Sequence, residues 1–439
     1  MRRRLSRREF LKVAGAGVAG AALLGTAGCG GQGDEGQEGG AESLEMWLFS
    51  EERAEWIRQV LQSEVWTSEH GDVEVNLRVF PYEQMHDRLQ TALVSGRGAP
   101  DLADVEISRF SPFIRGDQVP FVPLNDRIGD EIDNVYTPAG TDPWTWEGQI
   151  YGLGNELNTC VLAYRQDIME DAGIQTPFET WDQVIEAGRE ISTADRKMFA
   201  IHDEAFGDHY MMSQSAGTTY FDEQGNYIGD NELSIEAMQF LYDLVYEHEI
   251  ADIAPVAGDD QWYPPNYRAA FRAERFVAVF GPPWHLAMLP LDVPDQSGLW
   301  TVQEFPQGVG EGIPTAQFGG TGQCITVQSE KPDLAWELIR ACNLTTEGVL
   351  EDFKLRTVYP TYSPAYEDPA LQEPSDYFAD TRFGELYSSL APQLVPFNQS
   401  PQWAEATETI IRDVITPVMQ DRADAAEALR QVRSAIEGG

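Results

Sequence analysis

The sequence has few of the residues that build disulfide frameworks. Its 439 residues include four cysteines, without a Cys-x-x-Cys pair or a zinc-ligand spacing. If Cys29 is modified, as argued below, the other three cysteines cannot all pair with one another. We therefore expect Cys160, Cys324 and Cys342 to be buried free thiols; a single disulfide, such as Cys324–Cys342, is the alternative.

Familiar catalytic and metal-binding motifs are also absent. The chain contains no HExxH, GxSxG or P-loop sequence, and its six histidines follow no metal-ligand spacing. His202 and His209 bracket acidic residues in IHDEAFGDH, a segment that we expect on the surface. The sequence thus gives no reason to expect a metal ion or a cofactor.

Positive charge is scarce. The chain has 72 acidic residues against 30 basic ones, only four of them lysine, and its formal net charge is −42. So acidic a surface argues against nucleic acid or an anionic membrane face as a partner. The acid excess is typical of a salt-adapted prokaryote, archaeal or bacterial. Codon bias alone would explain the preference for arginine but not the excess of acids.

The few basic residues gather at the start of the chain. Six of the first twelve residues are basic, and an apolar run, Val13–Leu24, follows. That run is shorter than the roughly 20 residues needed to cross a bilayer, so an uncleaved membrane anchor is the weaker interpretation. SRREFLK fits the twin-arginine export pattern, and TAGC resembles a lipobox, whose cysteine carries the lipid after cleavage. We predict a signal peptide at residues 1–28, a lipid on Cys29, and a mature protein on the outer face of the cell membrane.

The segment after the signal peptide leads into alternating strands and helices. Residues 29–43 are mostly Gly, Gln and acidic residues and predict a flexible tether. SLEMWLF, VEVNLRVF and PDLADVEI then read as strands, with helices over Glu51–Trp66 and Gln84–Ser95 between them. This order predicts an α/β fold with a mostly parallel sheet. Ligands of such sheets bind beyond the carboxyl ends of the strands, here Trp47–Ser50, Phe80–Tyr82 and Glu106–Arg109.

Later helices are expected where apolar residues recur at helical spacing. Thr180 is expected to cap the first of them, and an acidic helix to close the chain. The predicted helices span Thr180–Ile191, Ser234–Glu247, Pro332–Cys342, Trp403–Met419 and Ala423–Ile436.

Four segments follow one another in an order typical of one family. They are GAPDLADVEISRF, WEGQIYGLGNELNTCVLAYRQDIMEDAG, FRAERFVAVFGPPWHLAML and GGTGQCITVQSEKPDLAWELIRACN. In this order they resemble the extracellular solute-binding proteins of sugar ABC importers, the family that includes maltose-binding proteins. The resemblance covers most of residues 44–350, and it depends on the order of the segments more than on any single motif.

The resemblance implies a two-lobed, type II periplasmic-binding-protein-like fold that closes on its ligand like a hinged trap. Chain crossings are expected near Gly152–Asn155, near Phe318–Thr321 and within Leu390–Ser400. Lobe 1 would comprise residues 44–153 with about 320–390, and lobe 2 residues 154–319 with about 391–439. The implied function is that of a monomeric, non-enzymatic binding lipoprotein. It would capture a mono- or oligosaccharide and deliver it to the transmembrane subunits of an ABC permease.

Aromatic side chains can stack on the apolar faces of a sugar, and 11% of the residues are aromatic. Trp284, in the GPPW corner after the strand FVAVF, is the first candidate, and Trp403 matches a late aromatic residue of the family. Trp262, Tyr263 and Trp47 are weaker candidates, because the first two would also fit loop packing and Trp47 would fit the core.

The hydroxyl groups of a sugar require polar partners. Glu156 and Asn158 follow the first expected crossing, where the family carries a sugar-binding carboxylate. Ser108 and Arg109 occupy positions that resemble an acid–arginine pair of maltose-binding proteins; because serine replaces the acid, Glu106 would supply the carboxylate. Weaker cleft candidates are Arg356, Tyr359 and the backbone of residues 319–321.

Two other classes of function stay open. A secreted glycosidase or lyase would use a pair of acids such as Glu106 and Glu156. The same binding fold would alternatively hold glycerol phosphate, a polyamine or an oligopeptide. A phosphate group requires clustered arginines or a helix N-terminus, and only Arg109 and Arg356 are available, so the aromatic supply favours a sugar.

Replacing Arg7 and Arg8 by lysine should leave the precursor in the cytoplasm, because the export receptor reads the arginine pair. Cys29→Ala should abolish the incorporation of labelled lipid. Cell fractionation and metabolic lipid labelling measure the two outcomes. Labelled lipid on membrane-bound Cys29→Ala protein would contradict the lipobox interpretation.

Overall fold

The computed structural model describes residues 42–255 and 264–437. The predicted signal peptide, Cys29 and most of the predicted tether lie outside these residues, as do Trp262 and Tyr263. In the described part, no helix combines the length and the apolar character needed to cross a membrane.

The strands of the described residues form two main sheets and two short pairs. A five-stranded sheet has the order β2-β1-β3-β12-β6, and a three-stranded sheet has the order β10-β7-β11. The short pairs are β4 with β5 and β8 with β9. In chain order the strands are β1 (Ser43–Leu48), β2 (Glu74–Val79), β3 (Leu102–Glu106), β4 (Thr145–Trp146), β5 (Gln149–Ile150), β6 (Gly152–Gly154), β7 (Val161–Arg165), β8 (Phe199–Ile201), β9 (Ala251–Ile253), β10 (Ala278–Gly281), β11 (Trp300–Gln303) and β12 (Thr321–Ile325).

The five-stranded sheet begins as predicted. β1 runs parallel to both β2 and β3, which confirms the α/β opening. β12 then pairs antiparallel with β3 and β6. All residues of β12 are buried, as expected for a central strand covered on both faces.

The three-stranded sheet is antiparallel throughout. Its central strand, β7, is buried along its whole length and pairs antiparallel with β10 on one side and β11 on the other. The parallel pairing predicted from the first three strands therefore does not extend to this sheet.

Helices cover the sheets and connect the strands. The predicted cap at Thr180 is present: its side chain accepts from the N–H of Gln183 at 3.3 Å, and the Gln183 side chain accepts from the N–H of Thr180. The helix predicted over Glu51–Trp66 is interrupted at Ser63, where the backbone is extended. The α-helices are Glu51–Gln62, Glu64–His70, Tyr82–Ser95, Asn125–Ile128, Thr137–Gly140, Gln166–Asp171, Trp181–Ile191, Gly207–Ser215, Glu232–Tyr246, Pro265–Arg272, Pro283–Leu286, Met288–Asp292, Pro332–Asn343, Thr346–Arg356, Pro369–Gln372, Phe383–Leu390, Trp403–Ile410, Thr416–Asp421 and Ala425–Glu437, with a π-helical turn at Ile411–Ile415.

Three chain segments meet between the two sheets. Two of them are the segments near Gly152–Asn155 and Phe318–Thr321, where β6 pairs with β12. The third segment lies at residues 359–361: Glu156 pairs antiparallel with Pro360, and the N–H of Leu157 donates to the carbonyl of Tyr359 at 2.7 Å.

The chain after this third segment packs with the three-stranded sheet. Phe383 and Tyr387 share one apolar cluster with Val279 of β10 and Trp300 of β11. Part of the segment 359–390, which the sequence assigns to lobe 1, therefore packs with β10 and β11. The segment 390–400 still contacts the first sheet's side, since the Gln399 amide donates to the carbonyl of Ile107 at 3.3 Å.

Two further expectations have opposite outcomes. Cys160, Cys324 and Cys342 are buried free thiols, as predicted.

The prediction that His202 and His209 lie on the surface is wrong, because both are buried. Their polar groups have partners that make burial tolerable: Asp208 accepts from the N–H of His202 at 2.8 Å, and the His209 ring lies 2.9 Å from both the Tyr220 hydroxyl and the Ser234 carbonyl. Within residues 42–255 and 264–437 no cluster of three metal-ligating side chains occurs.

Candidate functional site

A cleft of about 730 Å³ opens at the carboxyl ends of β1, β2 and β3. Phe49, Tyr82 and the turn 106–109 line it there, so residues from all three predicted strand ends reach the same cavity. Such a volume, enclosed by aromatic rings with a few polar groups, is typical of a small-molecule site. The facing wall consists of Phe206, Tyr210, Trp284, Phe397 and Trp403, and the base includes Glu156 and residues 317–320.

Trp284 is held at the corner that follows β10. Its indole N–H donates to the carbonyl of Phe318 at 3.2 Å, and the ring is half-buried with part of its surface in the cleft. Gly319 lies directly beneath it with a φ of +83°, and a Cβ there would come within 2.9 Å of the indole nitrogen. Only glycine fits this position, so the Trp284 indole can pack directly against the backbone of Gly319.

Trp403 belongs to the aromatic packing behind the facing wall. It is 2% exposed, its ring centre lies 4.5 Å from that of Phe397, and it meets Tyr210 edge-on at 5.4 Å. Its indole N–H has no hydrogen-bond partner among the described residues. Trp403 therefore supports the wall more than it offers a free stacking face.

Glu106, Ser108 and Tyr82 form one hydrogen-bonded group at the end of β3. The Glu106 carboxylate accepts from the N–H of Ser108 at 2.9 Å, from the Tyr82 hydroxyl at 3.0 Å and from the Ser108 hydroxyl. Burial raises the pKa of Glu106 above its usual value, although these donors favour the ionised form. The group presents a partly buried carboxylate to the cleft as an acceptor.

Arg109 pairs with Glu83 and does not bind Glu106 directly. Its guanidinium lies 5.2 Å from the centre of the Tyr82 ring. The Tyr82 hydroxyl links the expected pair, because it donates to Glu106 and accepts from the Arg109 Nε at 3.4 Å. In the described part of the chain, Arg109 is the only basic side chain that lines the cleft.

Two arginines bind the carboxylate of Glu156 at the first crossing. Its Oε1 accepts from Arg53 at 2.7 Å and from Arg356 at 3.0 Å. Arg53 also binds Asp104 at 2.6 Å, and Arg356 also binds Asp352 at 2.6 Å. The other oxygen, Oε2, has a single long contact in the described residues, with the Asn158 amide at 3.3 Å, and is thus the oxygen left for a ligand hydroxyl.

Burial makes the charges of this network interdependent. Its two guanidiniums and three carboxylates are almost completely withdrawn from water, where an uncompensated ion costs several kcal/mol. Burial opposes the ionised form of Glu156, but Arg356 and Arg53 outweigh it and hold the pKa of Glu156 below its usual value. Burial raises the pKa of Asp104 and Asp352. The arginines therefore keep a carboxylate ionised at the base of the cleft.

The structure brings six of the ten predicted ligand-binding residues into the cleft wall. They are Trp284, Glu156, Trp403, Arg109, Glu106 and Ser108. Asn158 is buried behind Glu156. Trp47 is a core residue: its indole donates to Glu45 at 2.6 Å, and its ring packs on Phe80. Trp262 and Tyr263 lie outside the described residues.

Several residues of the cleft lining were not predicted from the sequence. Phe206 and Tyr210 come from the segment around His202, which was expected on the surface. The others are Glu83, Gln317, Phe397, Thr407, Glu408 and Ile411. Phe397 precedes Trp403 by six residues, and Thr407, Glu408 and Ile411 follow it, so their closeness to a predicted residue was a usable signal. No pattern in the sequence singles out Phe206, Tyr210 or Gln317.

The fold and the cleft can be compared with known proteins. The sequence profile of the bacterial extracellular solute-binding proteins matches residues 50–343, which is more than half of the chain. The chain therefore belongs to this family, whose members have the two-lobed, type II binding-protein fold, and the resemblance noted from the sequence is confirmed.

Relatives and solved structures agree with this assignment. The arabinooligosaccharide-binding protein of Halalkalibacterium halodurans is 28% identical over 406 residues, covering 91% of this chain and 89% of the relative. The protein of the same name from Bacillus subtilis is 25% identical, covering 88% and 89%. The sugar-binding protein MalE of Xanthomonas citri matches with a TM-score of 0.74 at 16% identity, over 90% of this chain and 96% of that chain. At that identity the structure shows the shared fold.

Arg53→Met should lower the free energy of unfolding by about 3–5 kcal/mol at pH 7, because buried Asp104 and Glu156 lose their shared partner. In the variant the folded-state pKa of these acids should exceed the unfolded-state value. The loss should then shrink as the pH falls, because protonation removes the uncompensated charge. Urea unfolding at several pH values measures both effects.

Arg340→Met is the matched control. It removes an exposed ion pair with Glu131 and should cost about 1 kcal/mol or less. A loss in Arg53→Met that stays constant between pH 7 and mildly acidic pH would show that packing, and not charge, explains the role of Arg53.

Proposed function

We propose that the protein captures a carbohydrate in the cleft and delivers it to the transmembrane subunits of an ABC importer. The observation that carries this proposal is that aromatic rings and fixed carboxylates share one cleft. Trp284 on one wall, with Phe49 and Tyr82 opposite, offers flat surfaces for the C–H faces of a sugar ring. Glu106 and Glu156 offer acceptors to its hydroxyl groups.

The preferred ligand is a short oligosaccharide. Two relatives named for binding arabinooligosaccharides align with 91% and 88% of this chain. A cleft of about 730 Å³ falls in the range that holds small ligands. Arabino-oligosaccharides are therefore the first compounds to test, with malto-oligosaccharides as the second series.

The charges of the cleft favour a neutral ligand. Arg109, the one basic side chain among the described lining residues, already pairs with Glu83, so a glycerol phosphate would meet no cluster of cations. A polyamine would meet carboxylates, but Glu156 shares its charge with Arg53 and Arg356. The hydroxyls of a sugar fit these groups without disturbing the balance of charge.

A hydrolase would use the same acids. The pKa of Glu106 is raised and that of Glu156 is lowered, which is the division that an acid–base pair needs. However, Tyr82 and Ser108 occupy the carboxylate of Glu106, and two arginines occupy that of Glu156. The family to which the chain belongs consists of binding proteins, and we propose binding without turnover.

The proposal includes closure of two lobes around the ligand. Lobe 1 comprises residues 44–153 and about 320–357, and lobe 2 comprises residues 157–317 and about 359–439. The boundary near 358 replaces the one expected near 390, because Phe383 and Tyr387 pack with β10 and β11. A ligand that touches both lobes stabilises the closed state by its differential affinity, which gives a permease the means to distinguish loaded from empty protein.

The proposal also includes the location of the protein. SRREFLK and TAGC support twin-arginine export and a lipid on Cys29, and residues 29–43 would hold the folded body away from the membrane as a tether. Membership of an extracellular family is consistent with this location. We propose that the protein acts as a monomer.

Trp284→Ala should weaken oligosaccharide binding by roughly 5- to 150-fold, because a central aromatic contact is worth about 1–3 kcal/mol. Isothermal titration with arabino- and malto-oligosaccharides measures the affinity. Trp146→Ala is the matched control, since Trp146 is also half-buried but lies outside the cleft lining.

Incubating each sugar with excess protein should release no shorter product, and a cleavage product that disappears in Glu106→Gln would establish the hydrolase instead.

Scattering with and without sugar should show a smaller radius of gyration for the bound protein, because the two walls of the cleft approach one another on closure. The measurement requires a sugar whose affinity is already known from titration. Saturating ligand with an unchanged radius would contradict the closure mechanism but would leave sugar binding intact.

A further inference from the structure

A short segment of the later chain connects the two walls of the cleft away from the crossing segments. It comprises residues 397–401, which form neither helix nor strand, and we call it the clasp. Phe397 at its start lines the cleft, and Trp403 just after its end lines the cleft as well. The clasp therefore carries part of the facing wall, and it belongs to the proposed lobe 2.

Successive side chains of the clasp bond to opposite lobes. The Asn398 amide donates to the carbonyl of Phe221 at 2.9 Å, and the Ser400 hydroxyl donates to the carbonyl of Gly225 at 2.9 Å. Both acceptors are residues of the proposed lobe 2. Gln399, between them, bonds to lobe 1, as expected where alternate side chains point in opposite directions. The clasp is thus fixed on its own lobe and bonds across to the other.

Gln399 bonds to two points of lobe 1 at once. Its amide nitrogen donates to the carbonyl of Pro143 at 2.8 Å and to the carbonyl of Ile107 at 3.3 Å. A primary amide carries two N–H donors, so one side chain can serve both acceptors. Gln399 is 4% exposed, and a buried polar group that loses its partners is costly. These two bonds therefore favour one placement of the clasp relative to lobe 1.

Both acceptors are themselves held in place. The N–H of Ile107 donates to the carbonyl of Gly320 at 3.0 Å, next to the start of β12. Pro143 precedes Trp144, a fully buried residue whose indole N–H donates to the carbonyl of Val105 in β3 at 2.9 Å. The Gln399 amide thus bonds to a part of lobe 1 that the five-stranded sheet fixes.

The bonds of Gln399 join the two kinds of group that a sugar would contact. Ile107 lies between Glu106 and Ser108, which form the polar group of one wall, and Phe397 belongs to the aromatic wall opposite. A sugar that stacks on one wall and donates hydroxyls to the other requires a definite distance between them. In the described part of the chain Gln399 does not line the cleft, so its effect on a ligand passes through the walls.

We propose that Gln399 is a positioning residue for sugar binding, which favours the arrangement in which the two walls stand at the distance that a bound sugar needs. The inference rests on the proposed function and adds to it a residue that sets the spacing of the cleft. The affinity of a ligand falls in proportion to the fraction of protein in the competent arrangement. Loss of the Gln399 bonds should therefore weaken the binding of every sugar by the same factor.

The test uses Gln399→Met, which keeps a side chain of similar length and removes the donor. Titration with arabino- and malto-oligosaccharides should show roughly 5- to 150-fold weaker binding, as expected for two hydrogen bonds, with one common factor for all sugars that bind. Scattering should show a larger radius of gyration for the sugar-free variant than for the sugar-free unmodified protein, and equal radii when both are saturated with sugar.

Gln402→Met is the matched control. Gln402 follows the clasp directly, but its amide donates to the carbonyl of Ile436 at 3.3 Å within lobe 2, so its loss should change neither the affinity nor the radius. Arg115→Met is a second variant at an exposed site, where the guanidinium of lobe 1 donates to the carbonyl of Pro401 at 2.8 Å. It should act in the same direction as Gln399→Met, roughly 2- to 12-fold, as expected for one hydrogen bond.

The combination of affinity and radius separates a positioning role from a structural one. A lower free energy of unfolding in Gln399→Met with unchanged affinity and radius would overturn the proposal, as would a loss of affinity that differs between sugars or that leaves the sugar-free radius unchanged. If Gln399→Met does not fold, an unchanged affinity in Arg115→Met overturns it. If the unmodified protein binds none of the sugars, the proposed ligand fails, and the radii of the sugar-free proteins decide on the clasp separately.

Discussion

The carboxylate of Glu156, shared by two buried arginines, ties the cleft to the interior of the protein. Arg53 comes from the first helix, Arg356 from the helix Thr346–Arg356, and Glu156 from the chain as it leaves the five-stranded sheet. One acid therefore joins segments that are far apart in sequence. Because removal of any member leaves a buried charge without compensation, the network holds one end of the crossing firmly. Beyond it, the buried chain continues as an extended segment that pairs with Tyr359 and Pro360.

The cleft forms where the ends of the strands of both sheets meet near Glu156. The parallel strands β1, β2 and β3 end at one edge, so that Phe49, Tyr82 and Glu106 reach the same cavity. On the other side, β10 ends in the GPPW corner, and Gly319 leaves the space that the Trp284 indole occupies. The walls are thus attached to different sheets, which the crossing segments and the contacts of residues 399–403 with the turn after β3 connect. Rigid walls on separate sheets are what a closing trap requires.

Much of this arrangement could be predicted from local patterns in the sequence. The three strand ends, the Thr180 cap and the buried cysteines each depend on a few neighbouring residues, and the strand ends pointed to the cleft before any contact was known. The partners of Glu156 could not be predicted, because Arg53 and Arg356 lie about 100 and 200 residues away along the chain and any of many acids would have served as well. Phe206 and Tyr210 were missed for a related reason: the acids and histidines beside them suggest solvent, and only tertiary hydrogen bonds such as that between Asp208 and His202 explain their burial.

The excess of acidic residues affects which ligands the protein can bind as well as its solubility. A formal net charge of −42 creates a negative potential that repels anions and concentrates cations around the protein. This potential disfavours the approach of an anionic ligand. A cationic ligand would compete for the protein surface with the cations of a salt-rich medium. A neutral sugar meets neither obstacle, since its binding involves stacking and hydrogen bonds inside the cleft. Such contacts are little affected by ionic screening, so an acidic exterior and a neutral ligand are mutually consistent features of one protein.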